Sequence, residues 1–168
     1  MAEEFLTLMA DLDEESQRTL GAWYGKLRDA GFAGKQTPNL PFHISIASFS
    51  LEKEREVVDE MKELAARFSA IPVHISHIGL FPGGRVLFAA PDMDPPDLVD
   101  LRRAVRTETR DKFPWTPHAT ILIDEAETIR KALPVLVEEF RPFRGKVTKL
   151  HPCAFWPTRE ICTVCLKD

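Results

Sequence analysis

Two short segments of the chain share one chemical content: "PFHISIASFS", Pro41 to Ser50, and "TPHATILID", Thr116 to Asp124. Each places a histidine, one apolar residue and a hydroxyl residue shortly after a proline. On an extended strand, residues two apart share a face. His43 and Ser45 therefore project together, as do His118 and Thr120, while Ile44 and Ala119 point into packing. Imidazole titrates near neutral pH. One neutral and one protonated ring make a general base and a general acid, each worth about 10²–10⁴-fold in rate. The hydroxyls can donate to an oxyanion whose charge grows in the transition state. A phosphodiester suits such a quartet, offering a nucleophile to deprotonate, a leaving oxygen to protonate and two non-bridging oxygens to hold. The set asks for no metal, and two histidines with no carboxylate in either motif make a thin metal site.

A third segment, "VHISHIGL" from Val73 to Leu80, has similar content but a different setting. It runs into a turn and hairpin, whereas the other two run into helices. His74 and His77 are read as ordinary strand residues with solvent or local partners. His151, beside Pro152, is read the same way.

The elements that must position the quartet come in two matching series. "EFLTLMADL" alternates as a strand. "DEESQRTLGAWYGKLRDAG" follows as a helix with an acidic start and Leu20, Trp23, Tyr24 and Leu27 at helical spacing. The loop "FAGKQTPNLP" leads to the strand "FHISIASF". "EKEREVVDEMKELAARF" is an amphipathic helix with Val57, Met61, Leu64 and Phe68 on one face, and "IPVHISHIGLF" and "RVLFAAP" form a hairpin around "PGG". The second series enters its first helix through Asp94 and two prolines, within "APDMDPPDLVDLRRAVRTETRD". The strand "TPHATILI" and the helix "EAETIRKALPVLVEEF" follow, with Pro134 expected to kink the helix. "FRGKVTKLHPCAFW" and "REICTVCL" close the chain as a hairpin. His118 follows His43 by 75 positions, and Pro157 follows Pro82 by 75. The pattern predicts a duplicated, two-lobed α+β fold. Each lobe is a mainly antiparallel sheet with two helices outside, and a cleft lies between the lobes at a pseudo-twofold axis. The repeat divides at approximately 1–83 and 84–168 within one domain, and leaves open whether strands are exchanged between the lobes.

The totals agree with a globular enzyme or binding domain. With 168 residues, 44% hydrophobic and 29% charged, the chain can bury a core without staples. A net charge of -4 argues against a broad, non-specific grip on nucleic acid. Three cysteines, Cys153, Cys162 and Cys165, suit a reducing compartment, and "CTVC" lacks a second pair to complete a zinc site, so core packing is expected for it. The start "MAEEF" is acidic with no apolar signal region. No run reaches the roughly 18 apolar residues of a membrane span. A cytoplasmic, non-membrane protein is expected, with a monomer favoured.

"FHISIASF" and "PHATILI", with the hairpin "GLFPGGRVLFAAP", resemble the motifs of the 2H phosphoesterase superfamily, and the likeness extends over essentially the whole chain. Within it the chain looks closest to the 2′-5′ RNA ligase-like or cyclic phosphodiesterase-like group. The resemblance implies His43 and His118 as acid and base, Ser45 and Thr120 as phosphate-holding residues, and no metal or other cofactor. It implies a nucleotide or RNA-end substrate carrying a 2′,3′-cyclic phosphate or a 2′-5′ linkage. Arg85 and Arg159 begin equivalent hairpin strands and could reach a phosphate. Lys35 lies in the loop before the first motif. Phe42 and Trp115 precede the motifs and could stack on a base, whereas Phe81 and Trp156 are read as core. A non-catalytic nucleotide or RNA-end binder using the same cleft is the alternative.

Overall fold

A computed structural model describes residues 4–168 of the chain. The acidic start read from the sequence falls largely on residues 1–3, outside the described residues. In chain order the elements are β1 (Phe5–Leu12), α1 (Glu14–Asp29), β2 (His43–Phe49), α2 (Glu54–Arg67), β3 (Ile71–Leu80), β4 (Val86–Pro91), α3 (Asp97–Ala104), β5 (Ala119–Ile123), α4 (Ala126–Glu139), β6 (Phe143–Phe155), β7 (Arg159–Glu160) and β8 (Val164–Cys165). The antiparallel sheet runs β2-β1-β6-β3-β4-β5, with β7 and β8 added to β6. The series β-α-β-α-β therefore occurs twice, as the sequence repeat predicts.

The two series trade their last strands. β6 ends the second series but pairs along β1, from Phe5↔Phe155 to Leu12↔Val147. β3 ends the first series but forms the hairpin with β4. The two threesomes, β2-β1-β6 and β5-β4-β3, join where Ile71–Ile75 of β3 meets Phe143–Val147 of β6. β2 and β5 stand at opposite ends of the sheet order, yet they touch without pairing. That contact brings the two histidine motifs together.

β1 is buried on both faces, which explains its nearly unbroken apolar sequence. Leu6, Leu8, Ala10 and Leu12 enter the main core, together with Leu20 and Leu27 of α1 and Val57, Met61 and Leu64 of α2. Met9, on the other face, packs with Cys153 and Phe155. Asp13 caps α1, accepting from the Ser16 amide at 2.9 Å and from the Lys146 amide of β6 at 3.0 Å. The helix start and strand lie so close that a Cβ on Gly145 would stand 2.0 Å from the Ser16 hydroxyl.

Each motif strand carries a β-bulge at the same place. Met9 pairs with Ser45 and Leu8 with Ala47, so Ile46 is the extra residue. Phe88 pairs with Thr120 and Leu87 with Leu122, so Ile121 is extra. A bulge re-aims side chains and increases local twist. Here it falls directly after the hydroxyl residue in both motifs.

Four sequence readings need correction. The helix expected from Asp94 to Asp111 covers only Asp97–Ala104, with Pro96 and not Asp94 at its N-cap. It stops because Glu60 of α2 takes the next amides: Arg106 donates to it at 2.6 Å and Thr107 at 2.9 Å. Burial alone would raise the Glu60 pKa, but these hydrogen bonds hold it below the ordinary carboxylate value. The terminal strand breaks into β7 and β8; Cys162 and Val164 pack half-buried against the main core, as expected for "CTVC", but Cys165 is exposed. Trp156 is 48% exposed and is not core either. Phe81, also read as core, is only half-buried and lies against His118. Among the described residues no helix is long and apolar enough to cross a membrane.

Candidate active site

His43 opens β2, and His118 stands just before β5. The Nδ1 of His43 lies 2.8 Å from the Pro41 carbonyl oxygen, and the Nδ1 of His118 lies 2.7 Å from the Thr116 carbonyl oxygen. A carbonyl can only accept, so each Nδ1 carries the hydrogen and each Nε2 is left without it in the neutral ring. Both rings are half-buried. Burial pulls both pKa values below the ordinary imidazole value, against the opposing pull of the carbonyl bonds. A positive charge on His118 lowers the His43 value further, so the two rings lie within electrostatic reach.

The supporting contacts differ between the two sides. Gln17 of α1 clamps the backbone before His43, accepting from the Phe42 amide at 2.8 Å and donating to the Phe42 carbonyl at 2.7 Å. His118 is held by aromatic rings, with Phe81 edge-on at 4.6 Å and Phe88 at 5.3 Å between centroids. The Trp115 indole N–H donates to the Ser45 carbonyl at 2.8 Å, tying the second motif to the strand of the first.

Two open cavities meet at this point. One of about 780 Å³ is lined by His43, Ser45 and Thr120, together with Tyr24, Phe42 and Trp156. The other, of about 610 Å³, is lined by His118 and Ser45, with Phe81, Phe113, Trp115 and Lys112. Ser45 belongs to both walls. His43, Ser45 and Thr120 thus line one cavity and His118 the other, with Ser45 common to both. The loop before β2 closes one side of the larger cavity by docking on the edge of β5: Lys35 donates its amide to the Ile123 carbonyl at 2.6 Å, and the Ile123 amide donates to the Gln36 side chain at 3.1 Å.

Phe42 and Trp115 line these cavities, whereas Arg85, Arg159 and Lys35 do not. Arg85 and Lys35 both pair with Glu125, at 2.6 and 3.0 Å. Arg159 grips Glu54 through two bonds, at 3.1 and 2.6 Å. Their hairpin positions are as predicted, but a carboxylate from a neighbouring helix already occupies each cation. The cavity wall instead includes Arg28 and Lys112, which the sequence reading passed over. Arg28 is a helix residue and Lys112 a coil residue, and neither sits in a recognisable motif.

His151 has local partners, one of the two settings read for it from the sequence. It is 2% exposed on β6, between Asp11 at 3.3 Å and Glu160 at 3.2 Å. Among the described residues no group of three or more His, Cys, Asp or Glu side chains is arranged to hold a metal.

Among the described residues neither Nε2 has a hydrogen-bond partner, and two such imidazoles beside two hydroxyls can move protons to and from an ester. The fold itself is shared with known structures along the whole chain. The chain resembles E. coli LigT complexed with 3′-AMP at 21% identity, covering 98% of this chain and 99% of that one, with a TM-score of 0.65. It resembles TT0787 of Thermus thermophilus at 18% identity, covering 97% and 98%, with a TM-score of 0.71. A crystal structure described as a phosphoesterase is similar at 20% identity, covering 98% and 99%, with a TM-score of 0.65. None of the curated proteins matches. The model of the 2′-5′ RNA ligase superfamily matches residues 14–152, a span that holds both histidine motifs. With that match, the duplicated fold and the paired motifs, the chain belongs to the 2′-5′ RNA ligase superfamily of 2H phosphoesterases.

Proposed function

We propose that this protein is a metal-independent phosphoesterase that opens 2′,3′-cyclic phosphates or cleaves 2′-5′ phosphodiester bonds in nucleotides or RNA ends, with His43 and His118 as the acid–base pair. Ser45 and Thr120 hold the non-bridging oxygens. The observation that carries this reading is the matched support of the two imidazoles, each bonded through Nδ1 to the carbonyl two residues upstream and each lining one of two cavities that share Ser45. The reaction follows from proton placement. One Nε2 removes the proton of the attacking water as its oxygen bonds to phosphorus. The other Nε2 delivers a proton to the departing ribose oxygen as its bond to phosphorus breaks. The extra negative charge on the non-bridging oxygens meets the two hydroxyls.

The cavities on either side of the junction are wide enough for a nucleoside and carry aromatic walls. Phe42, Tyr24 and Trp156 on one side and Phe81, Phe113 and Trp115 on the other offer faces for base stacking. LigT was crystallised with 3′-AMP, with ATP and with NADP+. That range supports a nucleotide substrate for the present chain. Residues 1–168 are read as one catalytic domain with its site between the two lobes.

The test is direct. The protein is incubated with each nucleoside 2′,3′-cyclic phosphate and with 2′-5′-linked ApA in excess chelator, and products are separated as 2′- and 3′-monophosphates. A single monophosphate isomer, formed at an undiminished rate in chelator, is expected. Binding of these nucleotides with no turnover on any of them would instead make the protein a non-catalytic binder.

A further inference from the structure

The two loops that lead into the histidine motifs make the same pair of bonds, each to the opposite half of the chain. β2 and β5 are the edge strands of the sheet, so their outer N–H and C=O groups have no strand to pair with. Residues 30–42 run from α1 to His43 and dock on β5. The Lys35 amide donates to the Ile123 carbonyl at 2.6 Å, and the Ile123 amide donates to the Gln36 side-chain oxygen at 3.1 Å. Residues 105–117 run from α3 to His118 and dock on β2. The Arg110 amide donates to the Ser48 carbonyl at 2.8 Å, and the Ser48 amide donates to Asp111 Oδ1 at 3.2 Å. Arg110, Asp111 and Ile123 follow Lys35, Gln36 and Ser48 by 75 positions, the spacing of the two motif histidines. The docking therefore belongs to the repeat, although a glutamine stands where the other half has an aspartate.

Each side chain is set for this bond. Gly34 has a φ of +76°, and a Cβ there would collide with the Gln36 oxygen and stand 2.6 Å from Leu122. The Gln36 amide nitrogen donates to the Ala33 carbonyl at 3.0 Å, which leaves the oxygen for Ile123. On the other side Arg102 of α3 donates to Asp111 Oδ2 at 3.1 Å, which leaves Oδ1 for Ser48. The places reached are as well matched as the bonds. Ser48 and Ile123 lie three residues after Ser45 and Thr120, just past the bulges at Ile46 and Ile121. Gln36 and Asp111 lie seven residues before His43 and His118. β2 and β5 touch without pairing, so each loop ties the histidine of one half to the hydroxyl-bearing strand of the other. Any segment could cover an edge strand; here, in both halves, it is the segment that runs directly into the histidine.

We propose that Gln36 and Asp111 are positioning residues that set the distance between each histidine and the hydroxyl of the opposite half. This rests on the reading of the site given above, in which both halves act on one phosphate, and it adds two residues that need touch no reacting atom. Each imidazole is oriented by the carbonyl two residues upstream. That bond is internal to its own half and says nothing about where the half stands. The anchor supplies the second constraint. With Gln36 or Asp111 lost, the ring keeps its local bond, and what loosens is its place relative to the other half. A misplacement of about 1 Å can cost about 10²-fold in rate. Affinity, set largely by the cavity walls, changes little. The two anchors act on different rings, Gln36 on His43 and Asp111 on His118.

The first measurement needs no turnover. NMR of the full-length protein follows the ring protons of His43 and His118, assigned with single His→Gln variants, and the hydrogen exchange of the Ser48 and Ile123 amides. Both amides are expected to be protected in wild type. Gln36→Met, which keeps the length of the side chain without its oxygen, should unprotect Ile123 and shift or broaden the His43 ring signals, leaving Ser48 and the His118 ring as they are. Asp111→Leu should do the reverse. Gly34→Ala, which displaces the Gln36 oxygen, should act like Gln36→Met, whereas Gln36→Glu and Asp111→Asn keep an acceptor and should resemble wild type. Unprotected amides in wild type, or a His43 ring unmoved in Gln36→Met, overturn the proposal. If Asp111→Leu does not fold, Gln36→Met decides alone. Turnover is scored separately. Gln36→Met should lower kcat by about 10–10²-fold with KM within about twofold. A lower Tm with wild-type kcat would make the anchors purely structural and overturn the proposal. Absence of wild-type turnover would sink the phosphoesterase reading, and the ring signals would still judge the anchors.

Discussion

His43 and His118 are held by the same hydrogen bond in the two halves of the chain: each ring donates from Nδ1 to the carbonyl two residues upstream, at 2.8 Å to Pro41 and 2.7 Å to Thr116. The tautomer is thereby fixed before any substrate arrives. In the proposed mechanism both Nε2 atoms are the working atoms, so replacing either residue removes a proton carrier and leaves the strand backbone intact. His43→Ala and His118→Ala should each lower kcat by about 10²–10⁴-fold. Circular dichroism like that of wild type would separate this loss from unfolding. Ser45→Ala and Thr120→Val should lower kcat by about 10²–10³-fold through the lost donor.

Acid stability should report the same histidines. The pKa of His43 and His118 is lowered in the folded state, chiefly by burial. Between that value and the unfolded value of about 6.5, the unfolded chain binds more protons. Stability from these two rings is therefore full above about pH 6.5 and is lost as pH falls below it. His151 has the opposite sign: its pKa is raised, first by Asp11, so its contribution is full below about pH 6.5 and is lost as pH rises through the raised value. A series of Tm measurements from pH 5 to 8 should show His118→Gln losing part of the acid-side slope. His151→Gln should be relatively most destabilised at the acid end.

Trp115 tests the link between the lobes. Its indole N–H is the donor to the Ser45 carbonyl, and its ring lines the cavity beside His118. Trp115→Phe keeps an aromatic wall but frees that carbonyl, at a cost of about 1 kcal/mol. A several-fold fall in kcat/KM is expected, with Trp115→Ala worse. Activity equal to wild type in both variants would show that the link does not matter to turnover.

Gly79 tests the aromatic support of His118. A Cβ there would lie 2.7 Å from the Phe88 ring, which stands 5.3 Å from the imidazole. Gly79→Ala must displace that ring. The expected result is a reduced kcat and a lower Tm. Phe88→Leu combined with Gly79→Ala should recover the Tm more than the kcat, as measured by thermal unfolding and steady-state kinetics.

Arg85 and Arg159 provide the negative control. Each is bound to a glutamate and lines neither cavity. Arg85→Ala and Arg159→Ala should leave KM within about twofold, since exposed charges near a site are commonly solvated or paired elsewhere. A tenfold rise in KM in either would mean that the arginine leaves its glutamate for the substrate.

Much of the molecule was legible before any coordinates, for a physical reason. Strand alternation, helical spacing and the His-x-Ser and His-x-Thr patterns are local properties, written in a few consecutive residues. Repeated at one spacing, they were enough to select His43 and His118 over His74, which the structure places in a surface cluster with Asp92 and Ser76. Other features depend on which segments meet. Glu60 ends α3 only because α2 lies beside residues 106 and 107. Arg85 is occupied because α4 starts near it, and Asp11 and His151 become partners because the last long strand crosses to lie against the first. The sequence by itself thus determined the chemistry that is present and the halves that carry it. The closing of the sheet decided which charges are spent on one another, because ion pairs and burial are set by neighbours in space, more than a hundred residues apart along the chain in the case of Asp11 and His151.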